Sequence, residues 1–353
     1  MRTDALDFPL PQRLIALHPA AERSAARLLV ADCRGGTWEH RVFRELDQIL
    51  APGDLLVLND TRVLAARLVA RKASGGGVEG LWLEDCGGGR ALCMLSGRSL
   101  RPGTELLLRS GEYRLRLLGK AGPGRWLVED VQGAGWLHLL AAAGATPLPP
   151  YIRNRRREAG QSEDSADDRA RYQTVWARAE GAVAAPTASL HFDAGLLDAL
   201  AARGVRTASA TLHVGPGTFL PVETARVEDH PMHAERFSIP EQTVRAIAET
   251  RAGGGRVIAA GTTVCRALEH AARTGEREGE TRLFILPGFD FRWTDALLTN
   301  FHVPRSTLLA LVAAFAQHAG AADGLALVKQ VYAAAVAAEY RFFSYGDATL
   351  WRP

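Results

Sequence analysis

Between residues 63 and 130 the chain crowds six short apolar runs together: RLVARK, GLWLED, RALCML, ELLLRS, YRLRLL and RWLVED. Gly, Pro or Ser separates them, and none repeats at a helical period. Runs so short and so close can bury their apolar faces only against one another, which predicts a small antiparallel barrel or sandwich. GWLHLLAAAG follows as a short helix that stops at Gly144. On either side the writing is different. RLLVAD and DLLVLND are strands before the crowded segment, with FRELDQIL as a short helix between them. After it, strands TASATLHV, RVIAA, RLFILPG and YRFFSYGD alternate with helices PEQTVRAIAETRA, VCRALEHAAR, STLLALVAAFAQHA and LALVKQVYAAAVAAE. Strand–helix alternation implies a largely parallel sheet covered by helices. The predicted architecture is therefore an α/β domain made from both ends of the chain, residues 1–60 plus 149–353, interrupted by a small antiparallel β-barrel at 61–148.

At 353 residues the chain is long enough for two such cores. A hydrophobic share of 47% and a charged share of 23% are ordinary for a globular protein, and a net charge of +3 makes no global case for nucleic acid. Any basic patch must be local. Cys33, Cys86, Cys93 and Cys265 form no CxxC pair and no zinc spacing, so they read as reduced thiols. The N-terminal residues lack the apolar centre of a signal peptide, and the longest apolar run, Leu308 to Ala316, is too short to span a bilayer. A cytoplasmic protein, expected to be monomeric and without a membrane partner, follows. The segment YIRNRRREAGQSEDSADDRAR at 151–171 has no periodicity and is predicted to be a solvated loop. Its arginines, Arg153, Arg155, Arg156 and Arg157, precede the acids and suit phosphate contacts, although from charge alone a soluble linker is the better account.

Four predicted strands of the alternating half end in small or polar residues, and in open α/β sheets ligands bind beyond the carboxyl ends of strands. DLLVLND ends at Asn59, Asp60, Thr61 and Arg62; TASATLHV at His213 and the loop Gly215-Pro216-Gly217-Thr218; RVIAA at Gly261, Thr262 and Thr263; RLFILPG at Pro287 and Gly288. GxGxxG occurs once, at Gly75-Gly76-Gly77-Val78-Glu79-Gly80, where it leads into an apolar run of the crowded segment and opens no helix, and GxxxxGK[ST] is absent, so nucleotide binding through the usual loops is unsupported. Gly261-Thr262-Thr263 opens a helix and suits a carboxylate or phosphate, its plain alternative being a threonine N-cap.

The loop TLHVGPGTFLPV is followed closely by HPMHAE, gathering His213, His230, His233 and Glu235. Pro231 disrupts the spacing that a zinc site would want, HExxH is absent and no cysteine is near in sequence, so no metal site is expected. Proton transfer suits imidazole near neutrality; a structural hydrogen bond in a loop is the alternative for each ring. In DALLTNFHVPRSTLLAL, Asn300 can give and take hydrogen bonds, as a purine edge requires, or simply shape with His302 the turn into a helix capped by Ser306. FFSYGD places Tyr345 and Asp347 after an aromatic run that serves stacking or core packing.

Taken together, PGDLLVLNDTRVLAARL, YQTVWARAEGAVAAPTASLHF, TLHVGPGTFLPV, EDHPMHAE, VIAAGTTVCRALE, FILPGFDF, DALLTNFHVPRSTLLALVAAFA and YRFFSYGDATL resemble, from end to end, the S-adenosylmethionine:tRNA ribosyltransferase-isomerase family of queuosine biosynthesis. The resemblance implies a barrel-like α/β domain interrupted by a small β-barrel. It also implies transfer and isomerisation of the ribosyl carbons of S-adenosylmethionine onto an aminomethyl-deazaguanine at the wobble position of tRNA with a GUN anticodon. Epoxyqueuosine in tRNA, adenine and methionine would be the products, with no cofactor, since S-adenosylmethionine is a substrate. The sulfonium acidifies the neighbouring ribose hydrogens, so a base near neutrality is needed. His213 or His233 is expected to move that proton, oriented by Asp60 or Glu235. Arg62, Arg266 or the Thr262-Thr263 helix end is expected to hold the methionine carboxylate, with Asn59, Gly215, Gly217, Thr218, His230, Gly261, Asn300, His302, Tyr345 and Asp347 lining the substrate. Arg98 and Arg101 of GRSLRPG, with Arg153, Arg155, Arg156 and Arg157, are expected to contact tRNA phosphates.

Three positions depart from the family's pattern. Ser189 replaces a glycine, which predicts a loop less free in its angles, and Gly77 and Gly80 replace a lysine and an apolar strand residue, which speaks against a role for a lysine there and against reading that run as a strand. Two rival functions stay open at this point: a metal-dependent hydrolase built on the histidines, and a non-catalytic tRNA-binding module.

Overall fold

The computed structural model describes residues 1–215, 217 and 222–353. Before the insert lie β1 (Arg27–Asp32), β2 (Thr37–Val42), β3 (Leu55–Asn59) and β4 (Thr61–Val63). The insert holds β5 (Arg67–Lys72), β6 (Gly77–Gly87), β7 (Arg90–Ser96), β8 (Glu105–Leu108), β9 (Tyr113–Gly122) and β10 (Arg125–Asp130). After it come β11 (Ala179–Ala182), β12 (Arg206–Leu212), β13 (Glu235–Ser238), β14 (Val257–Ala260), β15 (Glu278–Thr281), β16 (Ala296–Asn300) and β17 (Ala348–Arg352). The helices are α1 (Leu46–Ile49), α2 (Trp136–Ala143), α3 (Pro150–Glu158), α4 (Ala166–Arg171), α5 (Ala194–Ala202), α6 (Glu241–Ala252), α7 (Thr262–Thr274), α8 (Thr307–His318) and α9 (Gly324–Ala337).

Two units result, one of Met1–Thr61, Thr174–Ala179 and Ala185–Pro353, the other of Arg62–Gln173 and Glu180–Ala184. The first is an α/β unit around a nine-stranded sheet in the order β15-β13-β12-β3-β14-β16-β17-β1-β2. Its centre, β12-β3-β14-β16, is parallel. Every residue of β3, β14 and β16 is buried, as expected of strands covered on both faces. Leu56, Leu58, Ile258, Leu298 and Leu350 share one core cluster with Phe43, Phe192 and Leu200; each such side chain contributes ~1.5–3 kcal/mol. Asn300 pairs with Ala348 in antiparallel register, so the start of β17 lies at the same edge of the sheet as the end of β16.

The second unit is a closed six-stranded barrel, β10-β7-β6-β5-β8-β9, antiparallel throughout and filled by Leu68, Trp82, Cys93, Leu115, Trp126 and Val128. The strand forms across Gly77 and Gly80 all the same, and Gly80 has a reason to be there. A Cβ there would stand 2.3 Å from the Met94 carbonyl oxygen, so the close approach of β6 to β7 demands glycine. Gly77 has open space around it and nothing in the structure requires it. The unit also takes in more chain than the predicted insert, namely residues 149–173 and 180–184. Arg153 and Arg157 of α3 both reach Glu79 on β6, and Val183 packs into the barrel core.

Three sequence expectations are corrected. The segment 151–171 is not a loop, since α3 starts on Pro150 and α4 is capped by Ser165, whose Oγ accepts from Asp168 N. RLFILPG is not a strand; the strand is β15 just before it, and Leu283 is held by the Arg266 Nε–H donating to its carbonyl. YRFFSYGD is not a strand either, because Phe343 takes φ 74° and Gly346 N closes a turn onto its carbonyl; β17 begins one residue later. Ser189 lies in a 3-10 turn over Thr187–His191 without a positive φ, so serine costs the turn no freedom it needs.

Candidate active site

Four parallel strands of the α/β unit, adjacent in the sheet, bring Asn59–Thr61, His213, Gly261–Thr263 and Asn300 to one carboxyl edge. The fourth member is β16 at Asn300, not Pro287-Gly288. Asn59 is fully buried and its amide is spent. Its Oδ1 accepts from Leu212 N at 3.2 Å and Thr61 N at 3.1 Å, and its Nδ2 donates to the Leu212 carbonyl at 2.9 Å and Thr263 Oγ1 at 3.4 Å. It has nothing left for a substrate; it binds the strand ends together. Asp60 does not orient a histidine. Its Oδ1 accepts from Thr211 Oγ1 at 2.6 Å, and its Oδ2 from Arg178 Nε and Nη2 at 3.0 and 2.8 Å. The segment around Trp176 and Arg178 straps this edge: Trp176 Nε1 donates to the Asn59 carbonyl and Arg178 N to that of Asp60.

His213 is half-buried, and its Nδ1 stands 2.9 Å from Thr61 Oγ1. Burial holds its pKa below the ordinary histidine value, assisted by Arg236 and opposed by Asp60. The ring is therefore neutral at pH 7, as a proton acceptor must be. His233 is exposed and packs on Gly217, where a Cβ would lie 2.4 Å from its Cδ2. Glu235 does not orient it either: the buried carboxylate is paired with Arg266 and accepts from Gly215 N at 3.0 Å. Arg266 also donates to Leu283, which leaves Nη2 as a buried donor without a partner. His230 meets Phe284 edge-on at 6.4 Å, and burial lowers its pKa as well. Thr218 lies outside the described residues.

Gly261, at φ 113°, caps α7 without a side-chain bond, so the first N–H groups of this helix at Thr262 and Thr263 lack a side-chain cap. Asn300 gives both amide protons away, to His191 Nε2 and to the Phe343 carbonyl, each at 3.2 Å. Only its Oδ1 is unpartnered, so the residue can accept from a ligand but not donate. His191 and His302 are buried and neutral, with pKa values lowered to about 3 chiefly by desolvation. His302 bonds Thr299 Oγ1 at 2.9 Å and belongs to the core of the turn. Asp347 is likewise structural: its carboxylate accepts from Arg27 N and Arg341 N, at 2.9 and 2.7 Å. Tyr345 is buried. Among the described residues no three His, Cys, Asp or Glu side chains gather as a metal would need, and no helix is long and apolar enough to cross a membrane.

The arginines are sorted by their acids. Arg156 is buried and bidentate with Asp168, at 2.6 and 2.9 Å, so it cannot touch phosphate. Arg153 pairs with Glu79 at 3.1 Å and Arg157 with Glu163 at 2.6 Å. Arg155 is half-buried on the same helix. Arg62 is exposed opposite Glu180, at 3.9 Å, and belongs to the barrel unit. Arg98 and Arg101 are exposed on the turn between β7 and β8, with no acidic partner among the described residues. From sequence alone Thr61, Arg178 and His191 had no role assigned, nor had the buried, unpartnered Ser189 Oγ. Thr61 and Arg178 sit in runs singled out for other reasons, and only the fold brings them to the histidine and the aspartate.

A family model described as "Queuosine biosynthesis protein" matches residues 3–351. The S-adenosylmethionine:tRNA ribosyltransferase-isomerase of Acidithiobacillus ferrooxidans is 53% identical over 351 residues, which are 98% of this chain and 96% of that protein. That of Rubrobacter xylanophilus is 49% identical over 352 residues, 99% and 97% of the two chains. The crystal structure of S-adenosylmethionine tRNA ribosyltransferase from Thermotoga maritima superposes with a TM-score of 0.54 at 35% identity, covering 98% of this chain and 99% of that one.

Proposed function

The chain belongs to the queuosine biosynthesis protein family, and from that premise and the geometry of the sheet's edge we propose that it is an S-adenosylmethionine:tRNA ribosyltransferase-isomerase. It transfers the ribosyl carbons of S-adenosylmethionine to the aminomethyl-deazaguanine at the wobble position of tRNA with a GUN anticodon, releasing adenine and methionine. S-adenosylmethionine is consumed as a substrate, and no further cofactor takes part. Full-length similarity to relatives bearing this name favours the transferase over a metal-dependent hydrolase or a non-catalytic module. Action on tRNA is what supports reading the protein as cytoplasmic.

The observation that carries the chemical reading is His213: a half-buried imidazole, kept neutral by its surroundings, at the edge where four parallel strands end. The sulfonium makes a hydrogen on the adjacent ribose carbon acidic, and the neutral ring removes it. The unpartnered Nη2 of Arg266 and the uncapped start of α7 suit the methionine carboxylate. Arg98 and Arg101 suit the tRNA backbone, while the splayed bases of an anticodon loop present the acceptor. The test is incubation with S-adenosylmethionine and precursor tRNA, following free adenine. The wild-type chain should release adenine only when both are present, and His213→Ala should slow release by about 10²–10⁴-fold while binding tRNA normally. Undiminished release by the variant ends the assignment of the base, and no release by the wild type ends the assignment of the reaction.

A further inference from the structure

The hydroxyl of Thr61 lies between two groups, 3.3 Å from the Ala179 carbonyl oxygen and 2.9 Å from His213 Nδ1. A threonine hydroxyl has one proton and a carbonyl can only accept. If that proton went to Nδ1, the Ala179 contact would carry no hydrogen bond. If it goes to Ala179, Oγ1 is free to accept from an Nδ1–H, and both contacts are made. The second arrangement satisfies the site with two bonds in place of one. We infer that Thr61 is a positioning residue that holds His213 in its Nδ1–H tautomer, leaving the Nε2 lone pair as the basic atom.

The hydroxyl is itself fixed. Thr61 is fully buried, its N–H donates to Asn59 Oδ1, and the same amide holds Leu212, the residue before His213, by both main-chain groups. Acceptor and ring therefore hang from one rigid junction of β3 and β12. His213 N is anchored from the other side by the Arg236 carbonyl at 2.9 Å. The charged groups facing the ring are Arg236 from β13, which disfavours the imidazolium, and Asp60 from the end of β3, which favours it. Neither sits on a ring nitrogen, so the choice between tautomers falls to Thr61. An imidazole released from this contact also populates the Nε2–H form, which has no lone pair at the reacting atom.

This inference rests on His213 being the base, and the experiment separates the two. Thr61→Val keeps the shape and the main-chain bond but removes the acceptor. It should lower kcat about tenfold, the worth of one hydrogen bond, leave KM for S-adenosylmethionine near the wild-type value, and move the acid limb of the pH profile to lower pH, because the bond also supports the imidazolium. Thr61→Ser should recover most of the lost rate. The ¹⁵N spectrum of histidine-labelled protein, with the His213 signals assigned by their loss in His213→Ala, should show protonated Nδ1 in the wild type and a mixture of tautomers in Thr61→Val. A wild-type kcat with an unchanged spectrum in Thr61→Val overturns the inference, as does a wild-type ring protonated at Nε2. Turnover surviving in His213→Ala instead overturns the base assignment, and the spectrum reports on Thr61 in either case.

Discussion

Two polar assemblies, one in each unit, use the same residue types to opposite ends. In the barrel unit, Arg67, Arg153 and Arg157 surround Glu79 and Glu163, and Arg156 is closed on Asp168. There the charges answer one another. At the sheet edge of the α/β unit, the spending is confined to a supporting layer of Asn59, Asp60 and Glu235, while single groups stay uncommitted above it: Nη2 of Arg266 and Oδ1 of Asn300. A saturated cluster holds a structure together, whereas a supported but unsaturated one retains affinity for something else. The row of arginines is the loudest signal in the sequence and the quieter one in the folded chain.

The sharpest way to break this contrast is Arg156→Ala, which strips the buried Asp168 carboxylate of its bidentate partner. It should cost about 3–5 kcal/mol in urea denaturation; a loss below about 1 kcal/mol would show that the pair is open in solution. Acid tests the other assembly. His191 and His302 titrate near 6.5 when unfolded and near 3 when folded. Above pH 6.5 neither state takes the proton and stability is complete. Between 6.5 and 3 the unfolded chain binds protons that the fold refuses, and stability falls by about 2 kcal/mol per ring at pH 5. His302→Gln should therefore have a flatter stability curve between pH 7 and 5, and an unaltered slope would mean that the ring is solvated. The smallest effect compares free with spent cations. Arg98→Ala with Arg101→Ala should weaken tRNA binding and reduce its logarithmic salt slope by about 0.7 per lost phosphate contact. Arg153→Ala should leave that slope alone, and an equal reduction would place α3 against the RNA.

Much of the fold was legible because its signals are local. Closely spaced apolar runs gave the barrel, and strand–helix alternation gave the parallel sheet. What failed depended on partners far along the chain. RLFILPG is apolar enough for a strand, but Arg266 claims the Leu283 carbonyl. Gly80 reads as a weakness until the Met94 carbonyl beside it is known. The site divides in the same way. The gathering of strand ends at one edge could be read from residue type and position. The exclusion of Asn59, Asp60 and Arg156 from ligand contact could not, because Leu212, Arg178 and Asp168 reach them through the fold. Thr61 remained hidden because a threonine at a strand's end has no chemistry of its own until an imidazole meets it.

The Asn59 amide gives to the Leu212 N–H and carbonyl the two bonds that another residue of main chain would have given. A strand terminus, where a sheet ordinarily begins to fray, thus acquires an extra rung made from a side chain. The Leu212 amide should exchange its hydrogen for deuterium on the slow timescale of the sheet's interior, so the His213 ring, one residue later, keeps its aim without waiting for a ligand to tighten it.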